Sequence, residues 1–194
     1  MTFVLGIAGS PRRNGNTELL LDAALEGARE TGADVYKIAL KDLVFSGCIA
    51  CGECRNGCNC VLQDDLQKIY ELIDKADVII LASPIYFEGL SAQLKAVIDR
   101  GQVYWERKFR LGIEGKKRRG AVIAIGARRN ADFKSALRPA KIWFLTLNAD
   151  ITALTYGGFE EKGSILDDAD SLDKAHSLGY DLASHAIQLI NSKN

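Results

Sequence analysis

Residues 3–17 read Phe3-Val4-Leu5-Gly6-Ile7-Ala8-Gly9-Ser10-Pro11-Arg12-Arg13-Asn14-Gly15-Asn16-Thr17, an unbroken apolar run followed by a polar, glycine-bearing turn. A run with no polar alternation is what a strand covered on both faces requires, because neither side of it meets water. Beyond the turn, Leu19, Leu20, Leu21, Ala23, Ala24, Leu25 and Ala28 recur at a spacing that predicts a helix ending near Gly32. A doubly covered strand feeding a helix through a short turn is the opening unit of a parallel sheet with crossover connections.

The unit repeats. Strands are predicted over 34–40, 77–82, 120–126 and 150–156, and helices over 65–75, 91–104, 133–147 and 171–191, with Pro139 kinking or restarting the third of these. Five strands alternating with helices specify an α/β fold, a doubly wound five-stranded parallel sheet in the flavodoxin-like order 2-1-3-4-5. No repeat or linker-like composition interrupts it, so one domain is expected over 1–194, carrying a cysteine-rich loop at 46–61. The 194 residues, 47% hydrophobic and 26% charged, suffice for a core without staples. Apolar runs such as Val78–Ala82 are far below the ~20 residues of a membrane span. Phe3–Ala8 is too short for a signal peptide, so a cytoplasmic protein is expected. Lys and Arg together number 25 against 25 Asp and Glu, which argues against a nucleic-acid coat. The balance is only an average, because thirteen basic residues fall between Arg100 and Lys141 against Glu106, Glu114 and Asp132. That run reads as a solvated face or as a surface for an anionic partner or a phosphorylated cofactor.

In doubly wound sheets, ligands bind beyond the carboxyl ends of the strands beside strand one, where Gly9–Thr17 lies. The loop is not a Walker motif, since five residues separate Gly9 from Gly15 and Asn16 stands in place of lysine. Nor is it a Gly-x-Gly-x-x-Gly dinucleotide turn. Small hydroxyl and amide side chains with an arginine at a helix N-terminus suit a phosphate dianion, with Ser10, Asn16 and Thr17 donating and Arg12 adding charge. The plainer alternative is a helix cap built from Asn16 or Thr17 with Glu18 nearby.

All five cysteines lie between Cys48 and Cys60. A disulfide framework would spread them to close long loops, so the crowding points to a metal centre or to redox chemistry. Zinc generally draws ligand pairs from separated knuckles, whereas Cys48-x2-Cys51-x2-Cys54 followed by a further cysteine is like the compact loops that wrap one [4Fe–4S] cube. A zinc-bound or disulfide-switch loop is the alternative.

The Gly9–Thr17 loop and the stretch ASPIYFEGLSAQLKAVIDR at 82–100 resemble the flavodoxin-like NADPH-dependent FMN reductase superfamily, and the cysteine loop resembles its iron–sulfur flavoprotein branch. The resemblance implies FMN, with its phosphate on a loop bearing Ser10, Arg12, Asn14, Asn16 and Thr17. It implies a ribityl chain and ring along Pro84, Ile85, Tyr86 and Phe87 in a β-to-α loop, and a third segment contributing Gly126. The branch's first three cysteines map onto Cys48, Cys51 and Cys54. Cys60 maps onto the fourth, because it precedes Val61-Leu62-Gln63-Asp64-Asp65, leaving Cys58 as an extra. The implied activity is electron transfer from a ferredoxin-like donor through a [4Fe–4S] cluster and FMN to a small acceptor (oxygen, peroxide or a quinone). The alternatives are an NAD(P)H-dependent FMN or quinone reductase without a cluster, and a non-enzymatic flavin and thiol redox sensor. The flavin carries the chemistry, so no catalytic side chain is expected; His176 and His185 read as surface residues. The resemblance also implies a homodimer or homotetramer.

Overall fold

The computed structural model describes residues 1–191, so the last three residues of the domain expected over 1–194 lie outside the described residues. In chain order the elements are β1 (Phe3–Ala8), α1 (Asn16–Glu30), β2 (Asp34–Ala39), α2 (Cys54–Gly57), α3 (Leu66–Lys75), β3 (Val78–Tyr86), β4 (Gly89–Leu90), α4 (Ala92–Asp99), α5 (Gln102–Trp105), β5 (Arg118–Gly126), α6 (Lys134–Thr146), β6 (Ala149–Gly157) and α7 (Ala169–Asn191). Parallel strands lie in the order β2-β1-β3-β5-β6, and the two-residue β4 folds back antiparallel on β3. With β4 set aside, this is the doubly wound 2-1-3-4-5 arrangement that the apolar runs predict.

Alternation along the central strands divides the core in two. Leu5, Ile7, Ile79 and Leu81 point to the face covered by α3, α4 and α6, where Ile69, Leu94 and Phe144 pack. Val4, Ala8, Val78, Ile80 and Ala82 point to the opposite face, where Leu21, Leu25 and Leu182 of α1 and α7 close over them. The two helices of that second face touch backbone to backbone. A Cβ on Gly179 would lie 1.7 Å from the Ala24 carbonyl oxygen, and one on Gly27 would lie 2.1 Å from that of His176. His176 itself is half-buried, its Nε2 3.1 Å from Glu30 Oε1, while His185 is exposed. No helix among the described residues is long and apolar enough to cross a membrane.

Three boundaries differ from expectation for local reasons. β3 continues through Ser83, Pro84, Ile85 and Tyr86 instead of ending at Ala82, so the expected β-to-α loop is strand. β1 stops opposite Ala82, whereas β5 continues beside Ser83 and Pro84; Pro84 therefore sits where its missing N–H faces no neighbouring strand. The helix expected over 91–104 breaks into α4 and α5 at Arg100–Gly101, and a Cβ on Gly101 would meet the Trp143 ring at 2.5 Å. Finally, α6 runs through Pro139 as one helix, without a restart.

Candidate functional site

The turn after β1 is a tight cradle. The Gly9 N–H donates to the Ala82 carbonyl at 2.7 Å, and a Cβ on Gly9 would be 3.0 Å from that oxygen and from Leu94 Cβ. Ser10 is buried, and its Oγ accepts the Arg12 N–H at 3.2 Å. Asn14 turns the chain at φ 50°, and its N–H donates to Glu18 Oε2 at 2.8 Å. Gly15 caps α1 without a side-chain bond, which leaves the first-turn N–H groups with no intrahelical partner and the positive helix end facing the loop. The cap reading for Asn16 or Thr17 is therefore not what the structure adopts.

Asn16 is committed elsewhere. Its Nδ2 donates to the Glu161 carbonyl at 2.8 Å and Ser164 Oγ at 3.3 Å, and its Oδ1 accepts the Ile165 N–H at 3.2 Å. Its side chain thus staples the segment after β6 to the cradle, and the expected donation of that amide to phosphate is corrected: both amide hydrogens are already used.

Glu18 holds the cradle from beneath. It is buried and accepts Lys41 at 2.8 Å and Lys37 at 3.2 Å. Burial alone would raise its pKa, but the bonds from Lys41, the Asn14 N–H and Lys37, with the Lys37 charge, bring it down to about 2. A depressed carboxylate stabilises the fold above its unfolded pKa near 4.5 and loses that contribution as pH falls towards 2. Glu18→Gln is expected to lower unfolding free energy at neutral pH by about 2–3 kcal/mol. It should also flatten the loss of stability between about pH 4.5 and 2, which denaturant titrations at several pH values will measure.

From the cradle a cleft runs along the carboxyl ends of β3 and β5. Its first part, about 210 Å³, is lined by Ser10, Arg12, Gly15, Asn16, Thr17, Pro84, Ile85, Tyr86, Ile125, Ala127, Phe159, Glu160 and Lys162. Its wider part, about 550 Å³, shares Ile85 and Ala127 and adds Phe87, Glu88, Gly126, Arg128, Asn130, Ala131 and Asp132. All the cofactor-binding candidates except Asn14 line one part or the other; Asn14 contributes the backbone turn. Gly126 must be glycine, since a Cβ there would lie 2.9 Å from Ala131 Cβ. Phe159, Glu160 and Lys162 escaped the sequence reading, although Gly157-Gly158 after the last strand was a signal for a turn at the cleft. Phe87 and Glu88 form the tip of the β3–β4 hairpin, both at positive φ (48° and 59°), with Phe87 wholly exposed. A two-residue turn of this hand normally takes Asn and Gly, so the lip of the cleft is strained.

The cysteine loop is pinned at its base. Val44 and Ser46 donate N–H groups to Asp65 and Asp64 at 2.7 and 3.3 Å, and the Asp65 N–H returns to the Val44 carbonyl. Cys48, Cys51, Cys54 and Cys60 all line one cavity of about 380 Å³, closed by Arg100, Gln102, Val103 and Glu106. Cys58 does not. It is buried at φ 57° at the end of α2 and lines an adjoining cavity of about 200 Å³ beside Tyr70 and Tyr104, which shares Cys60 and Val103 with the first. All five thiols are free, and burial together with the Glu106 carboxylate pushes the Cys54 thiol up. Among the described residues no three Cys, His, Asp or Glu side chains stand in metal-ligand geometry. A shared cavity is the weaker condition, and ligand sets are commonly drawn in by the metal itself.

The loop leaves the sheet edge beside the cradle, as the strand order requires, but its cavity abuts the C-terminal end of α4. The cleft, in contrast, ends at the hairpin just before α4 begins, so the two cavities share no lining residue. Helix α4, eight residues long and so about 12 Å in rise, runs from the hairpin end of the cleft to Asp99 on the cysteine cavity. The basic run does not form one face. Arg100 and Arg118 are buried, and Arg107, Arg110, Lys116 and Lys117 pair with Asp74, Glu106, Asp77 and Asp150.

An anion cradle at strand one, opening into a slot along the next two strand ends, defines a flavodoxin-like mononucleotide-binding domain. Residues 2–148 match the NADPH-dependent FMN reductase family, and the chain belongs to that family. It is 36% identical over 196 residues to an iron–sulfur flavoprotein of Methanocaldococcus jannaschii, covering 96% of this chain and 98% of that one. It is also 36% identical over 140 residues to an iron–sulfur flavoprotein of Methanosarcina thermophila, covering 72% and 71%. In fold it is similar to an NAD(P)H:quinone oxidoreductase from Methanothermobacter marburgensis (TM-score 0.72, 20% identity, 93% and 96% of the two chains). The protein is thus a flavin-dependent oxidoreductase of the iron–sulfur flavoprotein branch, and FMN is the flavin of its family. The residues fit it, with uncapped N–H groups, two buried hydroxyls and Arg12 at the narrow end of the cleft and largely apolar walls beyond.

Proposed function

We propose that the protein pairs FMN with a [4Fe–4S] cluster held by Cys48, Cys51, Cys54 and Cys60. On this reading it passes electrons from a ferredoxin-like donor to a small acceptor such as oxygen, peroxide or a quinone. The observation that carries the reading is that Cys48, Cys51, Cys54 and Cys60 line one cavity, whereas Cys58 lines only the adjoining one, which Cys60 also borders. The names of the two relatives above support it. FMN exchanges one or two electrons and a cluster one at a time, so the pair links single-electron donors to two-electron acceptors. The chain's own residues bind and orient: the cradle takes the phosphate, Pro84, Ile85 and Tyr86 wall the ribityl end, and the loop base at 44–46 and 64–65 keeps the thiols together. Arg107, half-exposed, lines the cavity beside Cys58 and Cys60; with the Asp74 pair opened, it suits an acidic donor. Assembly as a homodimer or homotetramer, with a neighbour covering the exposed Phe87, belongs to the same reading, as does a cytoplasmic setting.

A cluster-free NAD(P)H-dependent reductase is the second reading, favoured by the family's own activity and by Arg128 on the wider part of the cleft. Iron, acid-labile sulfide and flavin contents of protein purified without air decide between them. The cluster reading expects about four irons per flavin and bleaching by reduced ferredoxin or dithionite. Flavin without iron, bleached rapidly by NADPH, overturns it in favour of the second.

A further inference from the structure

We propose that Arg100 is a positioning residue of the cysteine cavity, anchoring Cys60 as the fourth ligand and setting the reduction potential of the group bound there. The inference rests on the cluster reading above. Arg100 is 2% exposed, a degree of burial that arginine reaches only when its donors are matched. Of its five N–H groups, Nη1 supplies two, to Asp64 Oδ2 and to the Ser46 carbonyl at 3.3 Å. Nη2 supplies two more, to Cys60 Sγ at 3.2 Å and to the Leu62 carbonyl at 3.3 Å. The fifth, on Nε, is buried with no partner among the described residues, although Arg100 lines the cavity. A buried donor left unmade is costly, and a sulfur atom held by the four cysteines would satisfy it. The side chain cannot swing away: its guanidinium lies 5.9 Å from the Tyr70 ring centroid, and the Tyr70 hydroxyl donates to the Arg100 carbonyl at 2.9 Å.

The same contacts explain why Cys60 and not Cys58 joins the set. Asp64, Ser46 and Leu62 fix the guanidinium between the two segments of the loop base, and Cys60 is the cysteine whose sulfur it holds. The consequence is electrostatic. One electron, delivered by a one-electron reductant, adds one negative charge to the sulfur-ligated iron with no bond broken, and a buried cation beside it favours that reduced state. Asp64 opposes Arg100 from the same network, so removing either charge moves the equilibrium in opposite directions.

The test uses full-length protein purified without air, reading iron per flavin and the midpoint of the iron–sulfur chromophore in a dithionite titration. Arg100→Gln is expected to shift the one-electron equilibrium at least tenfold towards the oxidised form, ~59 mV more negative. Asp64→Asn is expected to shift it the other way. A purely structural role would lower iron content in both variants without shifts of opposite sign. Iron-replete wild type with an unmoved midpoint in Arg100→Gln overturns this inference alone. Where Arg100→Gln keeps its flavin but loses its iron, Asp64→Asn decides: a positive shift supports the inference, and an unchanged or negative one overturns it. Wild type without iron overturns the cluster reading and this inference with it.

Discussion

Cys60→Ala is expected to remove the iron and leave the flavin, whereas Cys58→Ala leaves both. A metal-site ligand cannot be replaced by a methyl group, so iron per flavin in Cys60→Ala should fall at least tenfold; Cys51→Ala should behave the same way. Flavin stays because no residue of the cysteine cavity lines the flavin cleft. Cys58 is buried, so its truncation costs about 1 kcal/mol of packing beside Tyr70 and Tyr104, a small loss for a site at the rim of the core. The measurement is iron and sulfide per flavin in the three variants, with near-ultraviolet circular dichroism to follow the fold. Iron lost from Cys58→Ala and kept in Cys60→Ala would mean that the ligand set is the other one.

The second large effect is at the opposite end of α4. Arg12→Ala combined with Asn16→Ala should weaken FMN binding by more than 100-fold while leaving the sheet intact. Arg12 contributes a charge-assisted bond worth about 1.5–3 kcal/mol, and the three Asn16 bonds about 1 kcal/mol each. Losing them frees residues 160–165 from the cradle. The single variants separate the causes. Arg12→Ala removes charge from an exposed residue and should barely change thermal stability, whereas Asn16→Ala should lower both affinity and melting temperature. Flavin fluorescence on dilution measures the first, and calorimetry the second. Unchanged flavin content in the double variant would remove the phosphate from this loop.

Sequence patterns of short range were legible, and those of long range were not. The apolar runs at Phe3–Ala8 and Val78–Ala82 disclose strands because burial on both faces leaves no polar residue in them. The cradle is legible because its residues are neighbours in the chain. From its neighbours alone Asn16 reads as a donor to phosphate, because its partners lie at 161–165, about 145 residues away, where local spacing carries no signal. Pro84 reads as a loop residue because only the length of β1, an adjacent strand in space, makes that position tolerant of proline. In the sequence Arg100 is one member of a basic run. Its actual surroundings, Ser46, Cys60 and Asp64, come from a loop 36 to 54 residues upstream.

The glycine contact between α1 and α7, with the Asn16 staple, bears on when the protein acquires its cofactor. The cradle loop is complete at residue 17, yet what holds its helix in place lies about 145 residues or more further along the chain. Gly179 must meet Ala24, and residues 161–165 must reach Asn16. On the ribosome, roughly 145 residues separate the two, on the order of ten seconds of synthesis. A nascent chain that has not yet reached these residues presents a phosphate loop with no back wall, and flavin loading belongs after α1 and α7 have closed on each other.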